Sequence, residues 1–162
     1  MKFANRLLLA ACLALPFAAC KKHDAAPVAE DKPLAVPSTD DDAAWKPYLQ
    51  DVVARNMGNI TNNPYLYYLP SQSDPEFQAK YERQLEQAKN ALARGIVSGN
   101  LIGFGSPESA KMADIAIASF EGVPEGTMKG VRVLFIGEPA DGERVKQAVA
   151  ASGVDYVFIE AK

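Results

Sequence analysis

One histidine, His23, and two cysteines, Cys12 and Cys20, are all this chain has of the side chains that most often bind metals or pair as nucleophile and base. All three lie in the first 23 of its 162 residues. The rest of the chain has no imidazole for a catalytic triad or a zinc site, so Ser-His and Cys-His hydrolases are excluded. A Ser-x-x-Lys nucleophile is missing too: three residues after Ser106 stands Ser109, and no other serine is followed by lysine at that spacing. Positive charge is also short, with 17 Lys and Arg against 20 Asp and Glu for a net −3. No nucleic-acid partner is expected from a chain with so little to neutralise phosphates. A spanning hydrophobic run is missing as well. The longest apolar stretch, Leu7 to Ala19, has 13 residues; as a helix it would rise about 20 Å against a hydrocarbon core of about 30 Å.

What is present begins with an address. Lys2 and Arg6 precede the apolar stretch, the charge-then-oil order of an export signal, and the small residues Ala18 and Ala19 lead into Cys20. Phe17-Ala18-Ala19-Cys20 resembles the lipobox of bacterial lipoproteins, with Phe17 where leucine is usual. Leu9-Ala10-Ala11-Cys12 fits the letters better but leaves only about five apolar residues after Arg6, below the roughly 7 to 15 of a signal's apolar region. The resemblance implies cleavage before Cys20, lipidation of its sulfur and a protein held to the membrane by acyl chains alone. Lys21, rather than aspartate, after that cysteine implies sorting to the outer membrane, facing the periplasm. Several acyl chains, at about 0.8 kcal/mol per buried methylene, anchor stably where one would be marginal. Removal of residues 1–19 takes Lys2 and Arg6 and no acid, leaving 15 basic and 20 acidic groups. The one remaining cysteine carries lipid, so the fold rests on its core without a disulfide.

Residues 20–43 combine the lipidated cysteine, Pro27, Pro33 and Pro37, several alanines and the run Asp40-Asp41-Asp42, with no aromatic residue. Such a segment buries too little apolar surface to offset its ordering entropy, and it reads as a disordered tether whose acids serve solvation. A single globular domain is expected over 44–162.

Within it, Trp45, Tyr48, Leu49, Val52, Val53 and Met57 fall on one helical stripe ending at Gly58. Asp74-Pro75-Glu76 opens a second helix through Phe77, Tyr81, Leu85, Ala88 and Leu92 to Gly95. Ser106-Pro107-Glu108 starts a third helix to about Phe120, and Ala140 to Ser152 makes a fourth, stopped by Gly153. Between them lie β-rich runs at 100–104, 131–136 and 154–159, the last two apolar on both faces as covered strands should be. The expected class is α/β: a small, mainly parallel sheet of about three strands in the order β-α-β-α-β, with two extra helices in front.

Few residues in the domain suggest chemistry. Gly103-Phe104-Gly105-Ser106 opens a helix, but Glu108 holds the place of the third glycine of a dinucleotide fingerprint and would repel a pyrophosphate. No cofactor is expected. Glu121, Glu125, Glu138, Asp141 and Glu143 are the acids that a glycan-cleaving pair would draw on. The segment Asn62 to Pro70 sets Tyr65, Tyr67 and Tyr68 between Pro64 and Pro70, in a connection of about sixteen residues between helices, well above the usual 2 to 8. Tyrosine gives large contact area at small entropy cost, so these three are the candidate partner-binding residues. The plainer alternative is that this segment folds onto the core or adds an edge strand.

Small size, lipid anchor, long leash and lack of catalytic groups resemble the design of the immunity lipoproteins that protect bacteria from antibacterial effectors delivered by secretion systems. That likeness implies a non-catalytic protein, not an enzyme, whose partner is another protein such as a secreted effector enzyme. The alternative is a small-ligand or envelope-maintenance lipoprotein with a crevice near Gly105 and Gly137, at the carboxyl ends of the strands.

Overall fold

The computed structural model describes residues 32–161, and within them the α/β expectation holds. In chain order the elements are α1 (Asp42–Arg55), β1 (Tyr65–Tyr68), α2 (Phe77–Ala93), β2 (Leu101–Gly105), α3 (Ser109–Phe120), β3 (Arg132–Gly137), α4 (Pro139–Val149) and β4 (Asp155–Glu160). A single turn of 3-10 helix, Ala150–Ser152, extends α4 to Gly153, whose φ of 83° is the left-handed conformation that ends a helix. The signal at 1–19, the lipidation of Cys20 and the tether as far as Asp31 lie outside the described residues.

The four strands are all parallel and lie in the order β1-β2-β3-β4. Each crossover therefore steps the same way across the sheet, and crossovers of one hand put their helices on one face. Accordingly α2, α3 and α4 share one core with Ile102, Phe104, Val133 and Phe135. The other face is left to α1, whose Trp45, Tyr48, Leu49, Val52 and Val53 pack on Leu101, Leu134 and Ile136. The result is three layers, with three helices on one side and one on the other.

Strand alternation sorts the side chains between these faces. On the three-helix face, Tyr67, Phe104, Phe135 and Phe158 stand in register across all four strands. On the α1 face the neighbouring row is Tyr68, Gly105, Ile136 and Ile159. Gly105 is there for close approach: a Cβ on it would stand 2.5 Å from Leu49 Cδ2. With Gly103 also lacking a side chain, α1 settles into a trough over β2.

The plainer alternative for the tyrosine segment holds, and one boundary moves. The fourth strand, β1, comes from the tyrosine segment, whose uncharged Tyr-Leu-Tyr-Tyr run alternates between two apolar faces and adds itself to the edge of β2. The boundary of the domain also lies earlier than Ala44. Leu34 N–H donates to Asp51, Val36 packs on the α1 core, and Trp45 Nε1 donates to the Thr39 carbonyl at 3.0 Å. The acid run has structural work as well. Asp41 caps α1 by accepting from Ala43 N–H, and Asp42 takes the Tyr68 hydroxyl at 2.6 Å and Lys46 Nζ at 2.6 Å. Composition alone hid this, because each of these contacts is made to a residue that folding brings near.

Candidate binding site at the open edge of the sheet

β1 carries all three candidate tyrosines, and the alternation of a strand divides them. Tyr67 points into the three-helix core, 6% exposed, with its ring stacked on Phe104 at 5.1 Å. Burial pushes its phenol above the ordinary value, the nearby Tyr65 adds to this and Arg94 opposes it. Tyr68 points the other way, toward α1. Its hydroxyl donates to Asp42, and Lys46 Nζ lies 5.5 Å from the ring centroid, within cation-π range. Burial first, then the Asp42 hydrogen bond, raises its phenol well above the ordinary range. Only Tyr65, 43% exposed, presents a broad face to the surroundings. Of the three candidate tyrosines, Tyr67 is buried in the three-helix core, Tyr68 is half-buried against α1, and Tyr65 is the most exposed.

What the strand offers instead is its edge. β1 pairs only with β2, so the backbone groups on its other side face outward. A groove of about 390 Å³ is lined by Tyr65, Leu66 and Tyr67 together with Gln87, Asn90, Ala91 and Arg94. Three consecutive strand residues can border one groove only along the strand's edge, since successive side chains leave by opposite faces. Gln87, Asn90 and Ala91 of α2 and Arg94 at its C-cap are spaced i, i+3, i+4 and i+7, one stripe beside the edge. A second groove, about 220 Å³, flanks the same strand on the α1 side and is lined by Gln50, Val53, Ala54, Met57, Pro64 and Leu66. Here α1 contributes Gln50, Val53 and Ala54, and Met57 just past its end continues the same spacing. The two differ in chemistry: amides and a guanidinium on the α2 side, chiefly apolar groups on the α1 side.

The opposite edge is built differently. β4 begins and ends with exposed acids, Asp155 and Glu160, and Asp155 is held by Arg132 at 2.6 Å. Charge at a strand's ends blunts it against pairing, whereas β1 has none.

At the carboxyl ends of the strands, where a ligand crevice was the alternative, two glycines are closely packed. Gly105 is occupied by Leu49, and a Cβ on Gly137 would stand 2.5 Å from Ser109 Oγ. A crevice of that kind forms where the strand order reverses, and the order here runs one way without reversal. The space holds a buried polar tie that the sequence reading missed. Ser109 Oγ accepts from Glu138 N–H and donates to Asp141 at 2.8 Å, while Arg144 bridges Asp141 and Asp114 at 2.9 and 2.6 Å. The tie joins the first turns of α3 and α4, and its partners are 32 residues apart at Ser109 and Asp141, so no local spacing could reveal it.

The acids considered for glycan cleavage fall into two separate groups. Glu121 and Glu125 follow α3, whereas Glu138, Asp141 and Glu143 lie at the start of α4. The 12 residues of α3 carry the chain from one end of the sheet to the other, about 18 Å at 1.5 Å per residue, against the roughly 5 to 9.5 Å that such a pair requires. Among the described residues no group of three or more His, Cys, Asp and Glu is arranged to hold a metal ion, and no helix is long and apolar enough to cross a membrane. Compared with known protein families, with curated proteins and with solved structures, the chain matches none.

Proposed function

We propose that this chain is a non-catalytic binding lipoprotein, anchored by Cys20 in the outer membrane and facing the periplasm, that captures another protein as immunity proteins capture antibacterial effectors. The observation that carries the binding part is the open edge of β1, uncharged and flanked by a groove on each side. Proteins ordinarily shield such an edge with charge or a covering element, so leaving this one open gives a partner a ready template for pairing. The anchor and location rest on the signal pattern ending in Ala18-Ala19-Cys20-Lys21. The small-ligand alternative would need an open crevice near Gly105 and Gly137, where Leu49 and Ser109 pack close.

The test uses the full mature protein in detergent as bait against the secreted and envelope proteins of competing bacteria. A stoichiometric complex, with cross-links from the β1 edge to the captured protein and inhibition of that protein's toxicity, is the expected result. Capture of nothing at saturating bait would sink the binding reading. An unmodified amino terminus in intact-mass analysis, with the chain recovered from cytosol, would sink the anchor.

A further inference from the structure

Building on that reading, we infer that the β1 edge takes an extended peptide segment of the partner as a fifth strand, with an apolar, acidic, apolar alternation of side chains. A strand laid beside β1 at the usual spacing of about 4.8 Å sends successive side chains alternately to the two faces of the sheet. On one face they meet the α1-side groove of Val53, Ala54, Met57, Pro64 and Leu66, which accepts apolar groups. On the other face they meet the α2-side groove, where Tyr65, Gln87, Asn90 and Arg94 line the wall.

Arg94 sets the charge of that position. It is exposed, no carboxylate among the described residues pairs with it, and the groove's lining contains no acid. A carboxylate entering beside it gains a charge-assisted bond to the guanidinium, with the Gln87 and Asn90 amides lining the same groove. A second copy of this chain is a poorer occupant, because its own β1 offers Tyr-Leu-Tyr-Tyr and no acid for Arg94. The segment is short, since β1 has four residues. Affinity then comes from main-chain pairing and specificity from the alternating side chains.

The experiment is a selection from a random twelve-residue peptide library displayed on phage, against the full mature protein in detergent. Enriched peptides should show Asp or Glu between apolar or β-branched residues. One of them, synthesised, should slow hydrogen exchange of the amides of Tyr65–Tyr68, a change that an ion pair alone does not produce. Arg94→Glu should weaken that peptide at least tenfold, and a peptide with Lys in place of its acid should recover binding to R94E. Tyr65→Lys, at an exposed position, should weaken both. Enrichment of nothing, of peptides without an acidic position, or of peptides indifferent to R94E would overturn the inference. So would protection of the β1 amides without peptide in a protein that self-associates by light scattering, because a second copy would then hold the edge. The broader proposal fails separately: if an effector is captured yet R94E and Y65K leave its binding unchanged, the strand-addition mode falls and the binding function stands.

Discussion

Gly105 and Gly142 show how single side chains, or their lack, set the spacing of layers. A Cβ on Gly142 would come within 2.6 Å of the Phe158 ring, as one on Gly105 would of Leu49. Gly105→Ala and Gly142→Ala should each cost about 1 to 3 kcal/mol through overpacking, read as a lower urea midpoint with an unchanged slope. Tyr68 makes a different kind of statement. Its hydroxyl bonds Asp42, and a net hydrogen bond to a charged group contributes about 1.5 to 3 kcal/mol, so Tyr68→Phe should lose about that. The sign with pH follows from the two partners. In Asp42, burial raises the carboxyl but the bonds from Lys46 and Tyr68 outweigh it and the net shift is downward. Stability from Asp42 is therefore full above the ordinary carboxylate value and lost as pH falls through its lowered folded value. Tyr68 is shifted upward, so its contribution is full below the ordinary phenol value near 10 and lost as pH rises toward its folded value. Denaturation midpoints of wild type and Y68F should converge at both extremes and differ most near neutrality.

At the scale of elements, β1 is where reading and structure part most usefully. Three tyrosines in one short segment suggest a contact surface only while the segment is taken as a loop. As a strand it must alternate, and its pairing with β2 sends Tyr67 under the helices and Tyr68 under α1. Tyr67→Ala should then cost about 3 to 5 kcal/mol as a large buried aromatic lost from a core, whereas Tyr65→Ala should stay within about 0.5 kcal/mol. Thermal melts of the two variants distinguish a structural tyrosine from a free one. The α2 stripe Gln87, Asn90, Ala91 and Arg94 could be placed on one helix face from spacing, but nothing in its letters tells that the face borders a strand edge rather than open solvent. The elements from β2 onward were legible because their signals are local: start pairs such as Ser106-Pro107, stops such as Gly153, and apolar runs of strand length.

Across the whole molecule, the described domain begins earlier than composition suggests. Leu34, Val36, Thr39, Asp41 and Asp42 all contact the α1 layer or cap it. A chain beginning at Ala44 should lose the α1 cap, the Trp45 bond and the Tyr68 bond together, and melt below a chain beginning at Lys32. Equal melting temperatures would show that this segment contributes nothing to the fold. The one-way strand order matters at this scale too. It places three helices on one face, leaves α1 alone on the other, and removes the reversal at which a ligand crevice would open. Both ends of the sheet are then edges, and only charge separates their fates, with acids guarding β4 and none on β1.

By itself the sequence determined the class of fold, the helices and the strands β2, β3 and β4, since hydrophobic period and capping pairs act over a few neighbouring positions. Only tertiary structure decided that the tyrosines belong to a strand, that Ser109 meets Asp141, and that Arg94 stands beside an open edge. Each of those depends on residues far apart in the chain being brought together by packing, and short-range preference carries no information about which distant surface a side chain will meet.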